Sequence, residues 1–129
     1  MPTKSHWTAR PKRSEFAAAR AFLELCMRPK EATRALEALR GAKNQEQKAE
    51  DIARASGLPL LPVDNADVAK YVQRLRQGKR LPPVLLIRGR LSDDVPLRIA
   101  DGYHRLSASY CVDEEAQIVC RIVDVPAYE

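Results

Sequence analysis

Arg98-Ile99-Ala100-Asp101-Gly102-Tyr103-His104-Arg105-Leu106-Ser107-Ala108 reads as a strand that passes through a glycine into a helix. The apolar run ends at Ile99 and Ala100, and an amphipathic run follows from Leu106 to Tyr110. A helix opened in this way leaves its first backbone N–H groups without intrahelical partners, and these favour a phosphate or carboxylate. Gly102 suits a backbone conformation closed to residues with a Cβ, which lets the chain turn sharply and bring its amides near a ligand. Arg105 has the fork for a phosphate, and His104 can donate to an oxyanion or carry a proton. Asp101, at the strand end, is placed to accept a proton from a hydroxyl nucleophile or to hold a metal ion. The competing reading is structural: Asp101 caps the helix, Arg105 pairs with it or with Asp113, and His104 is half-buried.

Outward from this turn the pattern is a mixture of helices and strands. Upstream, Val84-Leu85-Leu86-Ile87 is a continuous apolar run typical of a strand covered on both faces. Downstream, Asp113-Glu114-Glu115 is a turn, and Gln117 to Val123 is a closing strand rich in β-branched residues. A helix capped by Asp64 or Asn65 turns Val68, Tyr71, Val72 and Leu75 inward and ends at Gly78. Leu58 to Val63 is apolar but interrupted by Pro59 and Pro62, so it is an edge strand or an extended segment.

The first fifty-odd residues read as three helices. Ser14 caps the first, with Phe16, Ala19, Leu23 and Cys26 at spacings of three and four, and Arg28-Pro29 ends it. The second runs from about Glu31 to Arg40 with Ala32, Leu36 and Leu39 on one face. The third runs from Asn44, with Gln47 as its capping-box partner, to Gly57. The expected architecture is therefore α+β: a small mixed α/β core at 58–129, a helical portion at 14–57, and a basic flexible arm at 1–13.

At 129 residues the chain is the size of one ordinary domain. Its longest aliphatic run is far short of the roughly 20 residues of a membrane span, and the basic N-terminus has no apolar stretch of a secretory signal behind it. A cytoplasmic location with no membrane partner is the expectation. Cys26, Cys111 and Cys120, odd in number and set among apolar neighbours, read as reduced, buried thiols rather than a disulfide frame or a zinc site. The net charge of +5 is uneven: residues 1–50 hold eleven bases against six acids, and the remainder is balanced. A basic N-terminal part, with Trp7 inside the arm, is a candidate contact for nucleic acid or an acidic partner. Phe16, Leu23, Leu36 and Leu39 are the candidate contact should the helices mediate self-association.

Glu50 to Leu58 resembles the first helix and turn of a helix-turn-helix, but Pro59 and Pro62 would break the recognition helix. Tyr71, Tyr103 and Tyr110 are candidates to stack on a base, with Tyr71 better placed for the core. Lys79 and Arg80 are either solvated loop charges or within reach of a ligand in the turn.

Leu81 to Arg88, then the eleven residues quoted first, then a short acidic turn and an apolar strand, together resemble the ParB/sulfiredoxin superfamily. The resemblance covers about residues 58 to 124. It implies that Gly102, Tyr103, His104 and Arg105 bind the phosphates of a nucleotide or a phosphorylated small molecule, with ATP or CTP and magnesium as the cofactor and Asp101 as base or metal ligand. Haem, flavin and zinc are not expected. Sulfiredoxins carry a cysteine directly after the glycine, where this chain has Tyr103, so sulfinic-acid reduction by that route is not implied. Partition proteins have Gly-Glu-Arg-Arg in this turn and append a helix-turn-helix domain, which is not expected here. The wording is nearest to the Asp-Gly-His-His-Arg version found in ParB-like nucleases and in a ParB-like kinase of free serine, in which the motif aspartate is implicated in catalysis. Nucleotide hydrolysis, phosphoryl transfer or nuclease activity, with Asp101 and His104 as catalytic candidates, is the enzymatic expectation. A non-enzymatic module binding nucleic acid or protein through its basic N-terminal part is the alternative.

Overall fold

Val84-Leu85-Leu86-Ile87 is buried at all four positions and forms β2, a central strand of the sheet. The computed structural model describes residues 6–124. In chain order the elements are α1 (Arg13–Cys26), α2 (Pro29–Gly41), β1 (Gln45–Lys48), α3 (Ala49–Ser56), α4 (Ala66–Arg76), β2 (Val84–Ile87), β3 (Arg98–Asp101), α5 (Tyr103–Val112) and β4 (Gln117–Val123). A short 3-10 turn at Leu91–Asp93 lies between β2 and β3. The fold is α+β, with one four-stranded mixed sheet of order β1-β4-β2-β3. β2 pairs parallel with β4, while β1 pairs antiparallel with β4 and β3 antiparallel with β2.

Side chains alternate along a strand, so β2 feeds two different cores. Val84 and Leu86 join Trp7, Ile52, Ile99, Leu106 and Ile118 on one face, where α3 and α5 lie. Leu85 and Ile87 join Leu23, Leu36, Leu39 and Ala100 on the other, beneath α1 and α2. α4 stacks outside α5 through Val68, Val72 and Ala108. The sheet is thus covered on both sides, which is why β2 has no polar alternation. Leu23, Leu36 and Leu39 are wholly buried in this intramolecular core, so they do not form a surface for self-association.

Ser14 lies inside α1 rather than capping it, since the N-cap is Lys12, and three larger expectations are also corrected. The third helix begins at Ala49, not Asn44; Gln45–Lys48 is an edge strand paired with β4, Gln45 opposite Cys120 and Lys48 opposite Gln117. Those four polar residues have no apolar period to fix a helix, and β4 offers an edge whose N–H and C=O groups need partners. Cys26 is exposed at the end of α1, while Cys111 is half-buried and Cys120 buried; all three thiols are free.

The basic arm is the third correction. Residues 1–5 lie outside the described residues, but from His6 onward the segment is built into the domain. Trp7 is 4% exposed, and its indole N–H donates to the Gln117 carbonyl at 3.2 Å. Thr8 N–H donates to Leu81 O, and Leu81 N–H to His6 O, both at 2.8 Å. Trp7 is therefore core, and the burial of its ring is what holds the segment down.

Leu58 to Pro62 is neither helix nor strand and pairs in no ladder, so it is not the edge strand that is one of the two expectations, and Val63 lies in a turn. Pro59 and Pro62 lack the N–H groups a ladder needs, so one face of α5 supplies the partners instead. The Tyr103 hydroxyl donates to Pro59 O, Leu61 N–H donates to Ser107 Oγ at 3.2 Å, and Cys111 Sγ lies 3.8 Å from Leu61 O. Spaced by four, these residues share a helix face. No helix follows α3 until Ala66, so the helix-turn-helix likeness has no recognition helix.

Candidate functional site

β3 delivers Asp101 to the end of the sheet, and Gly102 turns the chain into α5 with φ +108° and ψ 16°. Only glycine fits comfortably there. A Cβ at Gly102 would meet Arg105 Nη2 at 2.9 Å and the two methyl groups of Val84 at 3.0 and 3.1 Å, in addition to the strained φ. The first helical bond of α5 is Leu106 N–H to Gly102 O at 3.0 Å, and no side chain caps the helix. The amides of Tyr103, His104 and Arg105 therefore open the helix without intrahelical partners.

The side chains of the turn divide by role. Arg105 is 4% exposed, and its guanidinium is spent on the protein. Nε donates to Pro82 O at 3.1 Å, Nη2 to Pro83 O at 3.0 Å, and Nη1 to Asp101 Oδ2 at 3.2 Å. It braces the Pro82-Pro83 entry to β2 against the end of β3. The sequence brought Asp101 and Arg105 together correctly, in the arrangement of its structural alternative. Tyr103, expected to stack or to touch phosphate, is clamped by its hydroxyl to the Pro59 carbonyl. His104 remains half-exposed, with Nε2 3.8 Å from Asp67 Oδ2 at the start of α4, so the N-terminal ends of two helices meet beside it.

Burial pushes the Asp101 carboxyl above the usual carboxylate range; the Arg105 charge and hydrogen bond oppose that shift, and Glu15 adds to it. A magnesium ion does not fit as a protein-held ligand of this turn. The carboxylate oxygen facing the turn is taken by a guanidinium, whose charge would repel a cation. Among the described residues no group of three or more His, Cys, Asp or Glu stands close enough to hold a metal. Tyr71 is half-buried, with Lys70 and Arg74 over its ring at 5.9 and 5.3 Å from the centroid.

Sequence reading missed one short contact: His6 Nδ1 and Ser109 Oγ share a hydrogen bond at 2.9 Å. The two residues are 103 positions apart, and no local pattern announces them. Ser109 is fully buried, so this pair ties the N-terminal segment to α5 and offers no accessible nucleophile. Among the described residues no helix is long and apolar enough to cross a membrane. Compared with protein-family models, curated proteins and solved structures, the chain finds no match in any of the three.

Proposed function

We propose that this chain is a ParB/sulfiredoxin-like domain that binds a phosphate-bearing ligand, a nucleotide or a phosphorylated small molecule, at the N-terminus of α5. The observation that carries the reading is the left-handed Gly102 opening a helix whose first amides are uncapped, beside a half-exposed His104. In this reading the amides of Tyr103, His104 and Arg105 cradle the phosphate and His104 donates from its ring. Arg105 is a positioning residue that holds the turn through Asp101, and Tyr103 fixes the 58–63 segment alongside. A bound nucleotide would have to bring its own magnesium, since the residues of this turn do not fit the ion. Hydrolysis or phosphoryl transfer at this turn would draw its base from Asp101. The three free thiols accord with a reducing, cytoplasmic setting.

The test is thermal unfolding with ATP, CTP and inorganic tripolyphosphate, each with and without magnesium. Ligand at 100 times its dissociation constant stabilises by about 2.7 kcal/mol, a rise of several degrees in Tm for a domain this size. His104→Ala is expected to remove most of the shift while leaving the Tm of the free protein within a degree or two. Absence of a shift with every phosphate compound overturns the proposal.

A further inference from the structure

We infer that the outer face of α4 and the turn after it form a docking surface for the phosphate backbone of a nucleic-acid duplex, separate from the α5 turn and independent of its proposed ligand. The sequence from Val68 to Ser92 contains seven lysines and arginines and no acid, a local excess hidden by the balanced charge of the chain beyond residue 50. Two of the seven, Arg88 and Arg90, are paired with Asp124 and Asp93. The other five, Lys70, Arg74, Arg76, Lys79 and Arg80, make no ion pair among the described residues.

Helical spacing sorts these charges. Val68 and Val72 point into the core, which turns Lys70 and Arg74 outward as an i, i+4 pair, flanked by the exposed amides of Gln73 and Gln77. Gly78, at φ +80°, then folds the chain back so that Lys79 N–H donates to Arg74 O at 3.0 Å. Lys79 thus sits at the same helix end. Basic residues in a last helical turn ordinarily offset the macrodipole, but that end carries only about half a negative charge, far less than Lys70, Arg74 and Lys79 supply; Arg76, four residues beyond the core residue Val72, lies on a different side of α4, and Arg80 lies beside Trp7 and Asn44.

A polyanion is what such a surface recognises, and three features select duplex backbone. The face is the exterior of a single helix and the turn that follows it, not a cleft between two elements. Tyr71, its aromatic, has its ring covered by Lys70 and Arg74 and offers no stacking platform to a single strand. Flexible lysine and arginine heads beside glutamine amides suit sequence-independent phosphate contacts.

Fluorescence anisotropy of a labelled 20-bp duplex, titrated with the whole protein between about 50 and 200 mM salt, tests the inference. With Lys70, Arg74 and Lys79 engaged, the slope of log K against log salt should be about −2.7. Lys70→Gln/Arg74→Gln should weaken binding at low salt and flatten the slope by about 2, whereas Lys30→Gln/Arg34→Gln on α2 should leave the slope within about 0.5. Should the first double variant unfold, Lys79→Gln at its exposed turn position gives the same reading with a change of about 1. Equal loss in the α2 control, or no loss in the α4 variants, overturns the inference. So does full competition by polyglutamate, or by vesicles one-third anionic lipid, at matched charge concentration, since either would make the partner an acidic protein or a membrane surface.

Discussion

Arg105 Nη1 stands 3.2 Å from Asp101 Oδ2 across the first turn of α5, and the same guanidinium holds the carbonyls of Pro82 and Pro83. The residue that sequence alone nominates as a phosphate ligand is in fact the keystone between two strands. Pro83 immediately precedes β2, so the guanidinium fixes the entry of that strand against the end of β3.

Removing that side chain leaves two carbonyls unsatisfied and a partly buried carboxylate without its partner. Arg105→Ala is expected to lower the unfolding free energy by about 3–5 kcal/mol. Arg105→Lys keeps the charge but cannot fork to three acceptors, and should cost about 1–3 kcal/mol. Urea unfolding measures both, and an alanine variant within 1 kcal/mol of the parent would refute the brace. A loss of ligand binding in Arg105→Ala would therefore say little about direct contact, which is why His104 carries the binding test.

Gly102 and Gly57 both have positive φ, but only Gly102 is hemmed in. Gly57, at φ +73° after α3, has no atom within 4 Å of an added Cβ, so Gly57→Ala should lose only the left-handed penalty, about 1 kcal/mol. Gly102→Ala adds the approach to Val84 and Arg105, and should lose about 3 kcal/mol or more. Equal losses, read from the same urea midpoints at constant m-value, would show that the crowding at Gly102 is relieved at no cost.

Much of this fold was legible locally, and the failures share one cause. Gln117 to Val123 is a strand over the limits expected from its β-branched run, and Asn65 caps α4 by accepting from Asp67 N–H and Val68 N–H. In both, short-range pattern and final packing agree. Gln45–Lys48 is polar throughout, so its partner decided its state, and that partner lies some seventy residues away. The arm failed in the same way: Trp7 amid basic residues resembles a solvated terminus until Leu81 and Gln117 are brought to it. At the candidate site the stretch Asp101-Gly102-Tyr103-His104-Arg105 announced which residues would meet, since all lie within one turn. It did not announce that Pro82 and Pro83 would claim Arg105, because that demand comes from a different element.

The burial of Trp7 gives the N-terminal segment a measurable weight. Trp7→Ala is expected to destabilise by about 3–5 kcal/mol, a large part of a small domain's stability. Trp7→Phe keeps most of the apolar area and loses the bond to Gln117 O, for about 1 kcal/mol. Thermal denaturation orders the three proteins, and a Trp7→Ala variant melting with the parent would return the segment to the status of a loose arm.

Asp101 makes the stability of the turn respond to pH in a direction opposite to that of most paired carboxylates. Burial outweighs the Arg105 charge, so the folded-state value lies above the ordinary 3.8. The native state then holds more protons than the unfolded chain between 3.8 and the raised value, and stability must fall as pH rises through that window. The contribution is complete below 3.8 and gone once the folded carboxyl has ionised. Asp101→Asn abolishes the titration while keeping the shape. Its unfolding free energy, relative to the parent, should therefore improve on going from below pH 3.8 to neutrality. A difference that stays constant, or that moves in the parent's favour, would mean that the Arg105 ion pair dominates the site, and that Asp101 is held ionised and less basic than a free aspartate.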